Sequence, residues 1–144
     1  MKFGVVLDIN DFSAIEKAAA LGFDYVEGHV TRIADMTDER FAELQAFLAA
    51  SPVKMEAACV LLPGRIKVTG PEADPAKQAE YLDLALPRLA ALGVDAVVFG
   101  SGGARRVPDG FDRAMAWHQL IFFGRLLAEK ASRNGLTIAL EPLN

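Results

Sequence analysis

Cysteine occurs once in the 144 residues, as Cys59, and histidine twice, as His29 and His118. A lone cysteine closes no internal disulfide, so the stapled framework of a small secreted domain is excluded and a reducing cytoplasm is the expected setting. Basic clustering is also scarce. Lys plus Arg total 15 against 19 Asp plus Glu, a net charge of −4, and the densest basic cluster is Arg105-Arg106. Without a basic stripe to neutralise phosphates, neither nucleic acid nor an anionic membrane surface is expected as a partner. The N-terminal apolar run, Phe3 to Leu7, stops at Asp8, far short of a signal h-region or a membrane span.

What the chain has is a globular profile, 52% hydrophobic and 24% charged, in a length suited to one domain. One unit recurs: a short β-branched run, a loop, an amphipathic helix, and a glycine or proline stop. The expected strands are Phe3 to Leu7, Tyr25 to His29, Val53 to about Leu62, Asp95 to Phe99, and Thr137 to Glu141. Ser13 and Glu16 have capping-box spacing for a first helix from Ala14, which Gly22 ends in a left-handed cap. Thr37 precedes a second helix with Asp38 and Glu39 in its first turn, where the helix dipole favours acidic groups. Pro75 suits the first position of a third helix that runs to Gly93, and Pro87 is expected to kink or split it. The fourth helix covers about Asp112 to Arg133, closed by Asn134-Gly135. No linker or composition shift divides residues 1–144, which read as a single domain.

Strands alternating with helices imply a parallel sheet, either a complete open sheet of the receiver or flavodoxin kind or an arc of a (β/α)8 barrel. Central strands of an open sheet are covered on both faces and read as continuous apolar runs. Here Tyr25, Glu27 and His29 share one face of the second strand, Lys54 and Glu56 one face of the third, and Thr137, Ala139 and Glu141 one face of the fifth. That alternation suits helices outside and a partly polar lumen inside. A receiver module would also need an aspartate ending strand three and a lysine ending strand five, where Leu61-Leu62-Pro63 and Glu141 stand. The fold class expected is therefore α/β, a parallel (βα)4β portion of a (β/α)8 barrel.

The segments Leu21-Gly-Phe-Asp-Tyr-Val-Glu27, Ala91-Leu-Gly-Val-Asp-Ala-Val-Val-Phe-Gly-Ser-Gly102 and Leu140-Glu-Pro-Leu-Asn144 resemble the xylose isomerase-like barrel superfamily. They are most similar to its sugar phosphate isomerase/epimerase branch, which includes ketose 3-epimerases and hydroxypyruvate isomerases, and only the N-terminal half of such a barrel is spanned. The resemblance implies enediolate chemistry with a divalent metal (Mn, Mg or Co). It implies that Glu141, ending strand five, is both a metal ligand and a catalytic carboxylate. The family's other ligands, an aspartate, a histidine and a second glutamate, belong to strands six to eight. The chain is accordingly expected to be truncated and inactive alone, acting on a small sugar or keto acid only within a complete barrel. A base-excision endonuclease of the same superfamily would need a basic groove and histidine-rich ligands. A non-catalytic half-barrel that assembles with itself or with a second half stays open, and self-association through exposed edges is expected.

Beyond Glu141, four residues are candidates for substrate contact. His29 ends strand two on the face of Glu27 and can meet a hydroxyl. Asn10, with Asp8 and Asp11, follows strand one and can touch a polyol, although Asp and Asn serve equally as turn and cap residues there. Ser101 lies in Gly100-Ser-Gly-Gly103, where small residues let a ligand approach the backbone. Asn144 closes the Leu-Glu-Pro-Leu-Asn segment. Glu27 is expected to pair with Lys54 in the lumen, Arg105 and Arg106 to be solvated, Cys59 to be small and buried, and Phe99 to face the lumen.

Overall fold

A computed structural model describes residues 1–142. The order is β1 (Gly4–Val6), α1 (Phe12–Ala20), β2 (Tyr25–His29), α2 (Val30–Ala34), α3 (Asp38–Ala50), β3 (Lys54–Cys59), α4 (Pro75–Ala91), β4 (Ala96–Phe99), α5 (Gly102–Arg105), α6 (Arg113–Arg133) and β5 (Thr137–Leu140). The strands form one parallel sheet in the order β1-β2-β3-β4-β5. Sequential order is that of an arc of a (β/α)8 barrel and excludes the doubly wound alternative, in which β1 sits inside the sheet.

Helix starts follow local chemistry. Thr37 accepts from the Arg40 amide, and Asp74 accepts from the amides of Ala76 and Lys77 just ahead of α4, with Pro75 in its first turn. The start of α1 differs from the Ser13 expectation. Asp11 is the cap, its carboxylate accepting from the Ser13 amide and hydroxyl and from Ala14, which holds its pKa below the ordinary carboxylate value. Pro87 does not split α4, which runs unbroken over 17 residues. Leu82, Ala85, Leu86 and Leu89, all 0% exposed, pin both sides of the proline to the core.

Two further departures shape the sheet. Strict alternation fails in β3: Tyr25 and Val26 pair with Lys54 and Met55, and then Glu27 pairs with Ala57. Glu56 is the extra residue of a β-bulge, so Ala57 and Cys59 fall beside Glu27 and His29. Lys54 does not pair with Glu27. Its ammonium donates to the carbonyls of Leu48, Ala49 and Ser51 at 2.8–2.9 Å, closing the C-terminus of α3, while Glu56 takes Lys2 at 2.7 Å. A long cationic side chain at a strand start reaches the last carbonyls of the helix before it, where the dipole favours it.

The core lies between the sheet and the helices. Val26, Met55, Ala58 and Val97 are 0% exposed on the outer face. Phe99 joins them, contrary to the lumen placement, with its ring 5.2 Å from that of Phe123 on α6.

Candidate functional site

In a parallel sheet all strands end on the same side, and the chemistry of a barrel collects there. His29, Cys59, Phe99 and Leu140 end β2, β3, β4 and β5, with His29 registered on Cys59 and Phe99 on Leu140. The last rung of the β4–β5 ladder is the Glu141 amide donating to the Phe99 carbonyl at 3.2 Å. Glu141 therefore still follows strand geometry and belongs to the inner face with Thr137 and Ala139.

Two backbone outliers stand next to one another at this end. Val60 has φ 53° and Ser101 φ 48°, both in the left-handed region. For a β-branched valine this is sterically costly, and such strain collects at functional sites. The Ser101 hydroxyl accepts from the Leu62 amide at 2.9 Å, tying the β3 and β4 exits together. A cleft of about 430 Å³ opens here, its lining including His29, Arg32, Val60, Ser101 and Gly103. A larger hollow of about 820 Å³ lies in the loop after β3, among Arg65, Lys67, Glu72 and Lys77, and it contains none of the strand-end residues.

Three acidic or thiol groups share the inner face. Burial, then a hydrogen bond to the Glu27 carboxylate, then the charges of Glu27 and Glu141 push the Cys59 thiol up to about 12. Cys59 is thus half-buried on the face of Glu27, not a buried apolar filler. A thiol with that pKa carries almost no thiolate at neutral pH and is no nucleophile.

The candidates divide. His29 and Ser101 share the cleft. Glu141 lies beside it, its carboxylate over Gly100. Asn10 is apart from these three: its amide and its side chain both donate to Asp8, and its carbonyl accepts from Arg40. Asn144 lies outside the described residues. Arg106 and His118 are exposed, as expected. Arg105 is not solvated. It is half-buried, with its guanidinium on the carbonyls of Phe99, Gly100 and Glu141. No sequence signal marked Arg105 except its place in a glycine-rich exit loop, and a valine forced to positive φ has no signature at all.

Divalent-metal chemistry would need a convergent set of hard ligands. Among the described residues no group of three or more His, Cys, Asp or Glu side chains is placed to hold a metal ion. Glu141 offers one carboxylate, and the described residues do not make up a metal site. No described helix is long and apolar enough to cross a membrane.

Residues 15–144 match the family model described as the xylose isomerase-like TIM barrel. Among solved structures, a D-psicose 3-epimerase crystallised in the presence of D-fructose superposes with a TM-score of 0.80 at 18% identity over 100% of this chain and 53% of its own. D-psicose 3-epimerase with D-tagatose, from Clostridium cellulolyticum H10, gives 0.78 at 24% identity, over 100% and 53%. A 3-keto-D-glucoside 4-epimerase from E. coli gives 0.74 at 19%, over 100% and 57%. The chain spans about half the length of these structures. No curated protein matches it by sequence.

Proposed function

The chain belongs to the xylose isomerase-like TIM barrel family, and from that membership we propose that it supplies the β1-to-β5 part of the catalytic face of a sugar isomerase or epimerase. The observation that carries this reading is the position of Glu141: a carboxylate on the inner face, at the C-terminal end of a barrel strand, next to a cleft of sugar size. A carboxylate placed there accepts the proton from the carbon beside a sugar carbonyl, leaving an enediolate, and returns it. His29 and Ser101, on the cleft wall, supply hydrogen bonds to hydroxyls. Solved relatives by shape include D-psicose 3-epimerases and a 3-keto-D-glucoside 4-epimerase, which supports a ketose or keto-sugar as the substrate class.

Inversion at a carbon requires that the proton leave from one face and return on the other. One carboxylate serves one face. Glu27, the other inner-face carboxylate described above, faces the Cys59 thiol. The 144-residue chain is therefore expected to bind ketoses without turning them over. Amide NMR titration with D-psicose and D-tagatose should move His29, Ser101 and Glu141. Shifts confined to the hollow at Arg65 and Lys67, or none at the strand ends, would end this reading. Coupled assays on a ketohexose panel, with and without Mn²⁺ or Co²⁺, should show no turnover, and clear turnover would show that a second proton donor lies within the chain.

The same reading extends to assembly. The sheet's outer strands, β1 and β5, leave backbone groups without a ladder partner, and Leu140, 65% exposed, borders an apolar groove with Phe99, Leu120 and Leu127. Such edges favour pairing with another copy. Sedimentation equilibrium should show association, and a monomer at high concentration would count against it.

A further inference from the structure

The carboxylate of Glu141 occupies a position that almost any other sequence would fill. A Cβ built on Gly100 would stand 2.0 Å from Glu141 Oε2 and 3.1 Å from its Cδ, and the third nearest atom is also of Glu141. Gly100 is buried, and its φ is outside the left-handed region that reserves Gly22, Gly93 and Gly135 for glycine at helix ends. Neither backbone conformation nor core packing explains a glycine there. The side chain resting on it does.

A second residue holds the backbone that carries this carboxylate. Arg105 Nη1 donates to the carbonyls of Phe99 and Gly100, each at 3.0 Å, and of Glu141 at 2.8 Å. Its guanidinium carbon lies 5.0 Å from the centroid of the Phe99 ring, which packs on Phe123. One planar cation thus joins the end of an interior strand to the end of an edge strand, anchored on a buried aromatic. Glu141 itself is exposed, and among the described residues its bond along the sheet is made by its amide alone. An edge-strand terminus held by one rung frays readily.

We propose that Arg105 is a positioning residue for Glu141 and that the bare Cα of Gly100 is the floor of its seat. Together they keep the carboxylate in one rotamer over the sheet end. The use of that carboxylate rests on the function proposed above; its placement does not.

The test separates the two. Three-bond couplings of Glu141 report its χ1 without any ligand, and the D-psicose-induced shift of its amide reports the use. Wild type should show one χ1 rotamer. Arg105→Met should show rotamer averaging at Glu141 and lose the Glu141 shift while keeping that of His29, a selectivity that general destabilisation does not produce. Nη1 has two hydrogens for three acceptors, and a lysine ammonium has three donors, so Arg105→Lys should restore both readouts. Should Arg105→Met fail to fold, Gly100→Ala decides. Only the end of one flexible side chain opposes the new methyl, so that variant should fold as wild type does, with the Glu141 carboxylate displaced. An averaged rotamer in wild type, a single rotamer in Arg105→Met, the wild-type Glu141 rotamer kept in Gly100→Ala, or a lysine variant behaving like methionine would each overturn the proposal. An ordered Glu141 with no D-psicose response would leave the positioning in place and remove the function.

Discussion

The two faces of one sheet are built to different standards. On the outer face Val26, Met55, Ala58 and Val97 have no exposure at all, and Phe99 packs on Phe123 beneath the helices. On the inner face Tyr25, Glu27, His29, Ala57 and Cys59 are half-exposed, and Glu141 is exposed. Outer residues answer to volume, because a close-packed interior penalises any void. Inner residues answer to placement, and small partners make room for them. Gly4 accepts the Tyr25 ring, where a Cβ would fall 2.2 Å from it, as Gly100 accepts Glu141. The stability of the chain and its chemistry therefore reside in separate residues that alternate along the same strands.

The largest expected effect lies on the outer side. Phe123→Ala, at a residue with 0% exposure, should cost about 3–5 kcal/mol by urea unfolding through lost burial and the cavity left against Phe99. A loss comparable to that of an inner-face substitution would break the comparison. On the inner side Tyr25→Ala, half-buried over Gly4, should cost about 1–2 kcal/mol, since less apolar surface leaves water to begin with. Glu141→Gln should change stability by less than about 0.5 kcal/mol, as for surface substitutions generally, and yet abolish the D-psicose response of its own amide. Equal responses in the glutamine variant and wild type would show that the carboxylate charge is irrelevant to binding.

The last effect is confined to alkaline pH and is absent near neutrality. The Cys59 thiol is held at about 12 in the fold, against 9.0 for the ordinary group. Between those values the folded chain keeps a proton that the unfolded chain releases, so the contribution is complete below about pH 9 and disappears towards pH 12. Cys59→Ser should flatten the decline in stability across that window. Parallel curves for the two proteins would show that burial and the neighbouring carboxylates do not raise the thiol.

Features made by neighbours in the chain were readable in advance. Thr37 and Pro75 mark their helix starts, and the period-two polarity of β2 and β5 identifies an inner face because side-chain direction along a strand alternates strictly. Glu141 as a strand-end carboxylate was readable for the same reason. What escaped depends on reach across the fold. Lys54 extends along its own length to carbonyls of α3, and Arg105 spans two strand ends. Neither target is encoded near the residue. The cap of α1 moved from Ser13 to Asp11, whose carboxylate takes the Ser13 hydroxyl together with the amides of Ser13 and Ala14. The bulge at Glu56 leaves no local mark, and it shifted the face of Ala57.

That bulge has a consequence for how the chain tolerates change in length. Met55 pairs with Val26 and Ala57 with Glu27, so the strand on either side of Glu56 is already in the phase it would have if that residue were deleted. An insertion that would otherwise turn every later side chain over is absorbed within one residue, at the cost of a local kink and the contact to Lys2. The middle of β3 is thus a point where an insertion or deletion can pass without disturbing His29, Cys59 or the exit loops above them, and residue-by-residue alignment of relatives across this strand should be expected to slip by one.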